Sequence, residues 1–160
     1  MENRKLRLIP ALLLALGAAS AAGCNTSKAR ECNLLSIQIN AGVARVEAFD
    51  KERLARPEGG PIQTAQAMRQ LATIYQELAQ DIRGLNLTQK ELKILAEDYQ
   101  FEVRSVGGAA ENLAAALEGK RPEETLTADK LYAKHLAAQK KIIEKINSTC
   151  ARLEHAARRS

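Results

Sequence analysis

The stretch Thr88–Gly119, TQKELKILAEDYQFEVRSVGGAAENLAAALEG, decides the fold class. Within it Leu92, Leu95, Tyr99, Val103, Val106, Ala110, Leu113 and Leu117 recur every three or four residues, the spacing that gathers side chains on one face of a helix. Thr88 and Glu91 stand in the S/T-x-x-E order of a capping box, and Gly119 is a natural stop. Gly107-Gly108 lies inside the helix, where each Gly costs about 1 kcal/mol against Ala. The pair predicts a kink, the preferred reading, or the close approach of a neighbouring helix.

The same period extends outward in both directions. Upstream, a second helix is expected over Pro61–Arg83, with Met68, Leu71, Tyr75, Leu78 and Ile82 on one face and Gly84 at a left-handed C-terminal cap. Pro57-Glu58-Gly59-Gly60-Pro61 separates it from a first helix running from about Lys28 to Arg56, whose stripe is Cys32, Leu35, Ile39, Val43, Val46 and Phe49. Downstream, a fourth helix is expected to take Thr127 as its cap, with Leu126 and Leu131 at the spacing of a hydrophobic staple. Its stripe is Tyr132, Leu136, Gln139, Ile143, Ile146, Cys150 and Leu153. No stretch alternates with the period of two that marks a strand. Aromatic residues make up only 3% of the chain, and Ala, Leu, Glu, Lys, Gln and Arg dominate, which favours helix over sheet. The expected fold is all-α: an up-down-up-down antiparallel four-helix bundle joined by short connections.

The first residues read as an export leader. Arg4, Lys5 and Arg7 are followed by an apolar run from Leu8 to Leu16 and then by small residues up to Cys24. The run is shorter than the roughly 20 residues a membrane-spanning helix needs. Ala21-Ala22-Gly23-Cys24 resembles the lipobox of bacterial lipoproteins, with Ala21 where that family most often has Leu. The resemblance implies that residues 1–23 are removed, that Cys24 is acylated with palmitate-type chains, and that residues 24–31 form a lipidated tether to a bundle domain spanning 32–160. Asn25 after the Cys, by the family's sorting rule, implies the outer membrane of the cell envelope. Each buried CH₂ of an acyl chain contributes about 0.8 kcal/mol, so several chains anchor firmly where one does not.

Three cysteines is an odd number. If Cys24 carries lipid, Cys32 and Cys150 remain as a pair in an oxidising compartment. Cys32 lies near the start of helix one and Cys150 near the end of helix four, which an up-down-up-down bundle brings to one end. Both fall on apolar stripes, so the bundle is expected to be closed by a Cys32–Cys150 disulfide. A loop of that size is stabilised by roughly 4–5 kcal/mol in the chain-entropy account. Seven residues separate Cys24 from Cys32, a reach of at most about 25 Å fully extended. The disulfide end therefore sits near the bilayer, with Lys28, Arg30, Arg152, Arg158 and Arg159 as membrane-proximal basic residues facing anionic headgroups. Cations near a helix C-terminus also simply suit its dipole.

Residues for chemistry are few. His135 and His155 lack the E-x-x-H partner of a di-iron bundle, so no metal site and no catalytic residues are expected, and no cofactor beyond the lipid on Cys24. His135 reads as a partly exposed helix-edge residue. Glu97-Asp98 and Glu123-Glu124 read as solvated charge, and Glu102 near Gln139 raises the alternative of a polar layer in the core. No P-loop, G-x-S-x-G or glycine-rich dinucleotide turn is present. The net charge of +5 suggests nucleic acid at first sight, but bases and acids are interspersed and aromatic platforms are lacking. The leader takes Arg4, Lys5 and Arg7 against Glu2, a net +2, so the mature side chains carry +3.

Leu85-Asn86-Leu87-Thr88-Gln89 and Leu126-Thr127 resemble the LTxxQ repeats of the Spy/CpxP periplasmic chaperones, although Glu91 and Lys130 stand where that family has Gln. More broadly the layout resembles small helical lipoproteins of Gram-negative bacteria, a resemblance that implies no active site. The expected role is that of a membrane-anchored, non-enzymatic envelope lipoprotein that is structural or binds another envelope protein. The alternative is a ligand-binding or chaperone-like helical module. An apolar exposed face favours the first, and a deep pocket lined by Tyr75, Tyr99 or Glu102 the second.

Overall fold

The structure, a computed structural model, describes residues 26–54 and 59–157. Four helices follow in order: α1 (Thr26–Leu54), α2 (Pro61–Arg83), α3 (Lys90–Glu118) and α4 (Pro122–Ala157), with no strand among the described residues. Each packs antiparallel to the next, and α4 returns against α1, closing the up-down-up-down bundle expected from the periodicity. The stripes face inward. Cys32, Leu35, Leu78, Leu92, Tyr99, Val103, Val106 and Ile146 are fully buried, with Val43, Val46, Phe49, Leu136 and Ile143 packed around them.

The interfaces differ in tightness for a reason visible in side-chain size. α2 and α3 face each other through Ala65, Ala72, Ala79, Ala96, Ala110 and Ala114, all buried, and make the most extensive interface; α1 packs more lightly on α2 and α4. A Cβ on Gly107 would lie 3.3 Å from both the Ala72 carbonyl oxygen and the Tyr75 Cβ. The Gly pair therefore marks a close helix approach rather than the expected kink, since helical structure runs unbroken through Gly107 and Gly108. Gly108 points into open space. Gly42 makes a second close approach, of α1 onto the buried Leu78, where a Cβ would collide with the Leu78 side chain.

The disulfide joins Cys32 and Cys150 as expected, with their Cα atoms 5.5 Å apart across a sequence separation of 118. Exposed ion pairs set the register of the other helices. Arg45 on α1 reaches Glu77 and Asp81 on α2, and Arg69 on α2 reaches Glu111 and Glu118 on α3. Pairs this exposed are each worth at most about 1 kcal/mol.

The helix ends depart from expectation at three places. α1 begins at Thr26, so most of the stretch expected as a tether is helical and advances only about 1.5 Å per residue. Gly84 caps α2 in right-handed geometry, φ −71° and ψ −10°, because the chain turns straight into Leu85 and Leu87, which pack on the core. α3, by contrast, stops at Gly119 as expected, followed by Lys120 in left-handed geometry (φ 51°), with Lys120 N–H donating to Leu117 and Arg121 N–H to Ala116. α4 starts five residues before Thr127, since Pro122 suits a first turn and Glu123 and Glu124 suit the positive helix end. Thr127 then lies inside the helix, donating to the Glu123 carbonyl, and Leu126 and Leu131 are exposed instead of forming a staple.

The capping box of α3 is replaced by a long-range contact. Gln89 occupies the cap position without a side-chain cap bond. The carboxylate of Glu31, one residue before Cys32, accepts the Thr88 N–H and the Gln89 N–H at 2.9 Å each, and the Thr88 hydroxyl as well. Glu31 is only 7% exposed. Burial opposes its ionisation, but the hydrogen bonds from Gln89 and Thr88 outweigh that and hold the carboxyl below its ordinary value. Glu91 is thereby released from capping and pairs with Arg152 on α4.

Two expectations follow. Gly108→Ala stabilises the bundle by about 1 kcal/mol through helix propensity alone. Gly42→Ala has the same propensity gain but must displace Leu78, at a cost of about 1–3 kcal/mol; equal denaturant midpoints for the two variants would show that Leu78 yields freely. Glu31→Ala costs about 1–3 kcal/mol by leaving the Thr88 and Gln89 amides, just before α3, unpaired. Because the folded carboxyl lies below its ordinary value of 4.5, its contribution is complete above that value and is lost as pH falls through the folded one. The stability gap between wild type and variant therefore narrows in acid, and an unchanged gap across an acid titration would mean the charge is not what holds the cap.

Candidate functional site

The end of the bundle that carries the disulfide gathers exposed cations from several elements. The antiparallel order brings the start of α1, the α2–α3 turn and the end of α4 together there, and Cys32–Cys150 and the Glu31 cap lock them. Of the basic residues expected at this end, Arg30 and Arg152 are exposed, Lys28 is half-buried, and Arg158 and Arg159 lie outside the described residues, as do Cys24 and the stretch 1–23 expected as a leader. Arg152 is not a free cation, because Glu91 neutralises it.

The α2–α3 turn adds cations that sequence reasoning passed over: Arg83, Lys90 and Lys93 are all exposed at the same end. The expected topology already placed this turn beside Cys32 and Cys150, so the signal was available. Glu31 was also missed. A carboxylate next to a core cysteine is its one sequence mark, and its partner is 57 residues away.

Two open grooves flank this end. One, of about 350 Å³, lies against the α2–α3 turn and is lined by Arg83, Asn86, Lys93, Glu97 and Gln100 over Leu85 and Leu87. The other, of about 290 Å³, runs between α3 and α4 beside Glu91, Ile94, Leu95, Lys145 and Thr149. Neither is lined by Tyr75, Tyr99 or Glu102.

Tyr75 is buried on α2, and Tyr99 and Glu102 take part in a polar layer between α3 and α4. Gln139 donates to the Tyr99 hydroxyl at 3.1 Å, and His135 Nδ1 lies 2.7 Å from the Glu102 carboxylate, their side chains 18% and 16% exposed. The layer entertained from the sequence thus forms, and His135 sits at the helix edge but paired. Burial pushes the Tyr99 hydroxyl up to about 12, against a downward pull from Gln139. Burial likewise raises Tyr132 to about 12 and Tyr75 further still. All three phenols stay protonated at neutral pH and act as hydrogen-bonding core groups rather than as bases.

The outer faces carry large apolar side chains. On α3, Ile94 and Phe101 are 48% and 65% exposed, two turns apart, and on α1 Leu34 and Ile37 are exposed together. Glu97, Asp98, Glu123 and Glu124 are solvated, as expected.

Among the described residues no group of three or more His, Cys, Asp or Glu is placed to hold a metal ion, and no described helix is long and apolar enough to cross a membrane. The chain matches no protein-family model, no curated protein and no solved structure.

Proposed function

We propose that this chain is a lipid-anchored, non-enzymatic interaction protein of the bacterial outer membrane, held by acylated Cys24 and engaging another envelope protein through an outer helix face. The anchor is supported by the tripartite leader and by Ala21-Ala22-Gly23-Cys24. The interaction role is carried by one observation: Phe101, the chain's most exposed large apolar residue among those described, stands two turns from exposed Ile94 on α3. Large apolar groups left in water at helical spacing are what a partner helix or groove covers. The tyrosines and the Glu102–His135 pair, by contrast, are spent inside the bundle.

The basic end suits this attachment. Arg30, Arg83, Lys90 and Lys93 are exposed beside the first helix turn, where anionic headgroups would favour each by about 1 kcal/mol. A chaperone-like reading has one observation in its favour, the open groove of about 290 Å³ beside Ile94 and Leu95.

Two measurements test the proposal. Intact-mass analysis of the full chain expressed in a bacterial envelope should show loss of residues 1–23 and acyl mass on Cys24; a free Cys24 thiol in an unprocessed chain would refute the anchor. Mild crosslinking of the tagged chain in envelopes should give a discrete partner band that Phe101→Ser removes while the melting curve is unchanged. Identical bands from wild type and Phe101→Ser would reject the α3 face as the contact.

A further inference from the structure

α1 carries a second apolar stripe on the side away from the core. Leu34, Ile37, Ala41, Ala44 and Ala48 recur at alternating spacings of three and four, and all five are exposed. At 3.6 residues per turn they centre about 165° from the Cys32–Leu35–Ile39–Val46 stripe. The face runs from Arg30 to Lys51 with no charge along its centre: Arg45 at one margin turns toward Glu77 and Asp81 on α2, and Glu47 lies at the other. Leu34 and Ile37 are 42% and 46% exposed, so this face leaves in water side chains large enough to form a core.

The large residues occupy the first half of the stripe and the alanines the second. That gradient has a self-complementary solution. We propose that the outer face of α1 is covered by a second copy of this chain, the two α1 helices packing antiparallel about a twofold axis between Ile37 and Ala41. In this register Leu34 lies opposite Ala44 of the other copy, and Ile37 lies opposite Ala41. Each layer holds one large and one small side chain, and the seam is even along its length. Arg30 comes opposite Ala48, with Glu47 of the second copy at the margin beside it, so each end of the seam sets a carboxylate near the arginine.

A parallel pairing lacks both properties. It stacks Leu34 on Leu34 and Ile37 on Ile37 while leaving the alanine layers underfilled, and it sets Arg30 against Arg30. The antiparallel axis also falls at residue 39, within one residue of the middle of Thr26–Leu54, so the helices overlap along nearly their full length. A twofold contact of this kind is isologous and closes as a dimer without leaving an open end. The inference does not rest on the lipid anchor. If both Cys24 residues are acylated, they leave opposite ends of the seam, and the pair lies along the bilayer with a basic end at each edge.

Co-expression of two differently tagged full-length chains, one Leu34→Cys and one Ala44→Cys, followed by mild oxidation, tests the register. The expected product is the mixed 34–44 disulfide, with neither variant crosslinking to itself above the wild-type background, since the two 34 positions lie about 15 Å apart along the seam. Ala41→Glu should shift the full chain in neutral detergent from dimer to monomer with helicity unchanged. Self-crosslinking at position 34 would overturn the register in favour of a parallel pair. A monomer across the whole accessible concentration range, with no mixed crosslink, would overturn the dimer and leave the face to another occupant.

Discussion

Everything in this bundle is organised by the need to hold the start of α1, the end of α4 and the α2–α3 turn together at one end. The Cys32–Cys150 bond ties the first helix to the last, and the Glu31 carboxylate, one residue away, ties the first helix to the start of the third. Glu91 on that third helix then ties back to Arg152 on the fourth. These contacts form a closed circuit through α1, α3 and α4, and α2 is drawn in by the short turn that ends at Thr88. Each link constrains a different degree of freedom. The disulfide limits the unfolded chain, while the buried carboxylate satisfies amides that a helix start otherwise leaves orphaned.

The opposite interfaces are held by size rather than by bonds. α2 and α3 approach closely because their facing residues are mostly Ala, with Gly107 against the backbone of α2. α1 contributes fewer contacts and carries apolar residues on two sides, so its amphipathic contrast is the weakest of the four helices. The least firmly packed helix is thus also the one whose loss the disulfide most directly opposes. Cross-linking its first turns to α4 compensates for a light interface, which explains why the bond joins these two helices and not the tightly packed central pair.

The sequence made the architecture legible where the signal was periodic. Stripes such as Leu92–Tyr99–Val103–Val106 identify a helix and its buried face without any knowledge of neighbours, and topology then follows from short connections. The Cys32–Cys150 pairing was legible because it needed only topology. The limits of α2 and the stop of α3 at Gly119 were legible too, but the starts of α3 and α4 were not, because several local solutions compete there. Thr88-x-x-Glu91 satisfies the capping-box pattern, yet a carboxylate 57 residues upstream takes the Thr88 amide that Glu91 would have capped, and nothing near Thr88 announces it. Thr127 has the chemistry of a cap, yet Pro122 with two following acids begins the helix earlier. The Gly pair was ambiguous for the same reason: whether a glycine bends a helix or admits a neighbour depends on what stands opposite, here Ala72 and Tyr75.

The candidate site was half legible for a related reason. Arg30 and Arg152 were found by asking what lies near the cysteines in sequence, whereas Arg83, Lys90 and Lys93 lie near them only in space. Once the turn between α2 and α3 is placed beside the disulfide, its cations join those of α1, while two acids there are engaged, Glu31 by backbone amides and Glu91 by Arg152. The positive character of this end comes from Arg30, Arg83, Lys90 and Lys93, which stand exposed there. Their clustering depends on the fold, since the turn and the start of α1 are neighbours only while Glu31 and the disulfide hold these segments together.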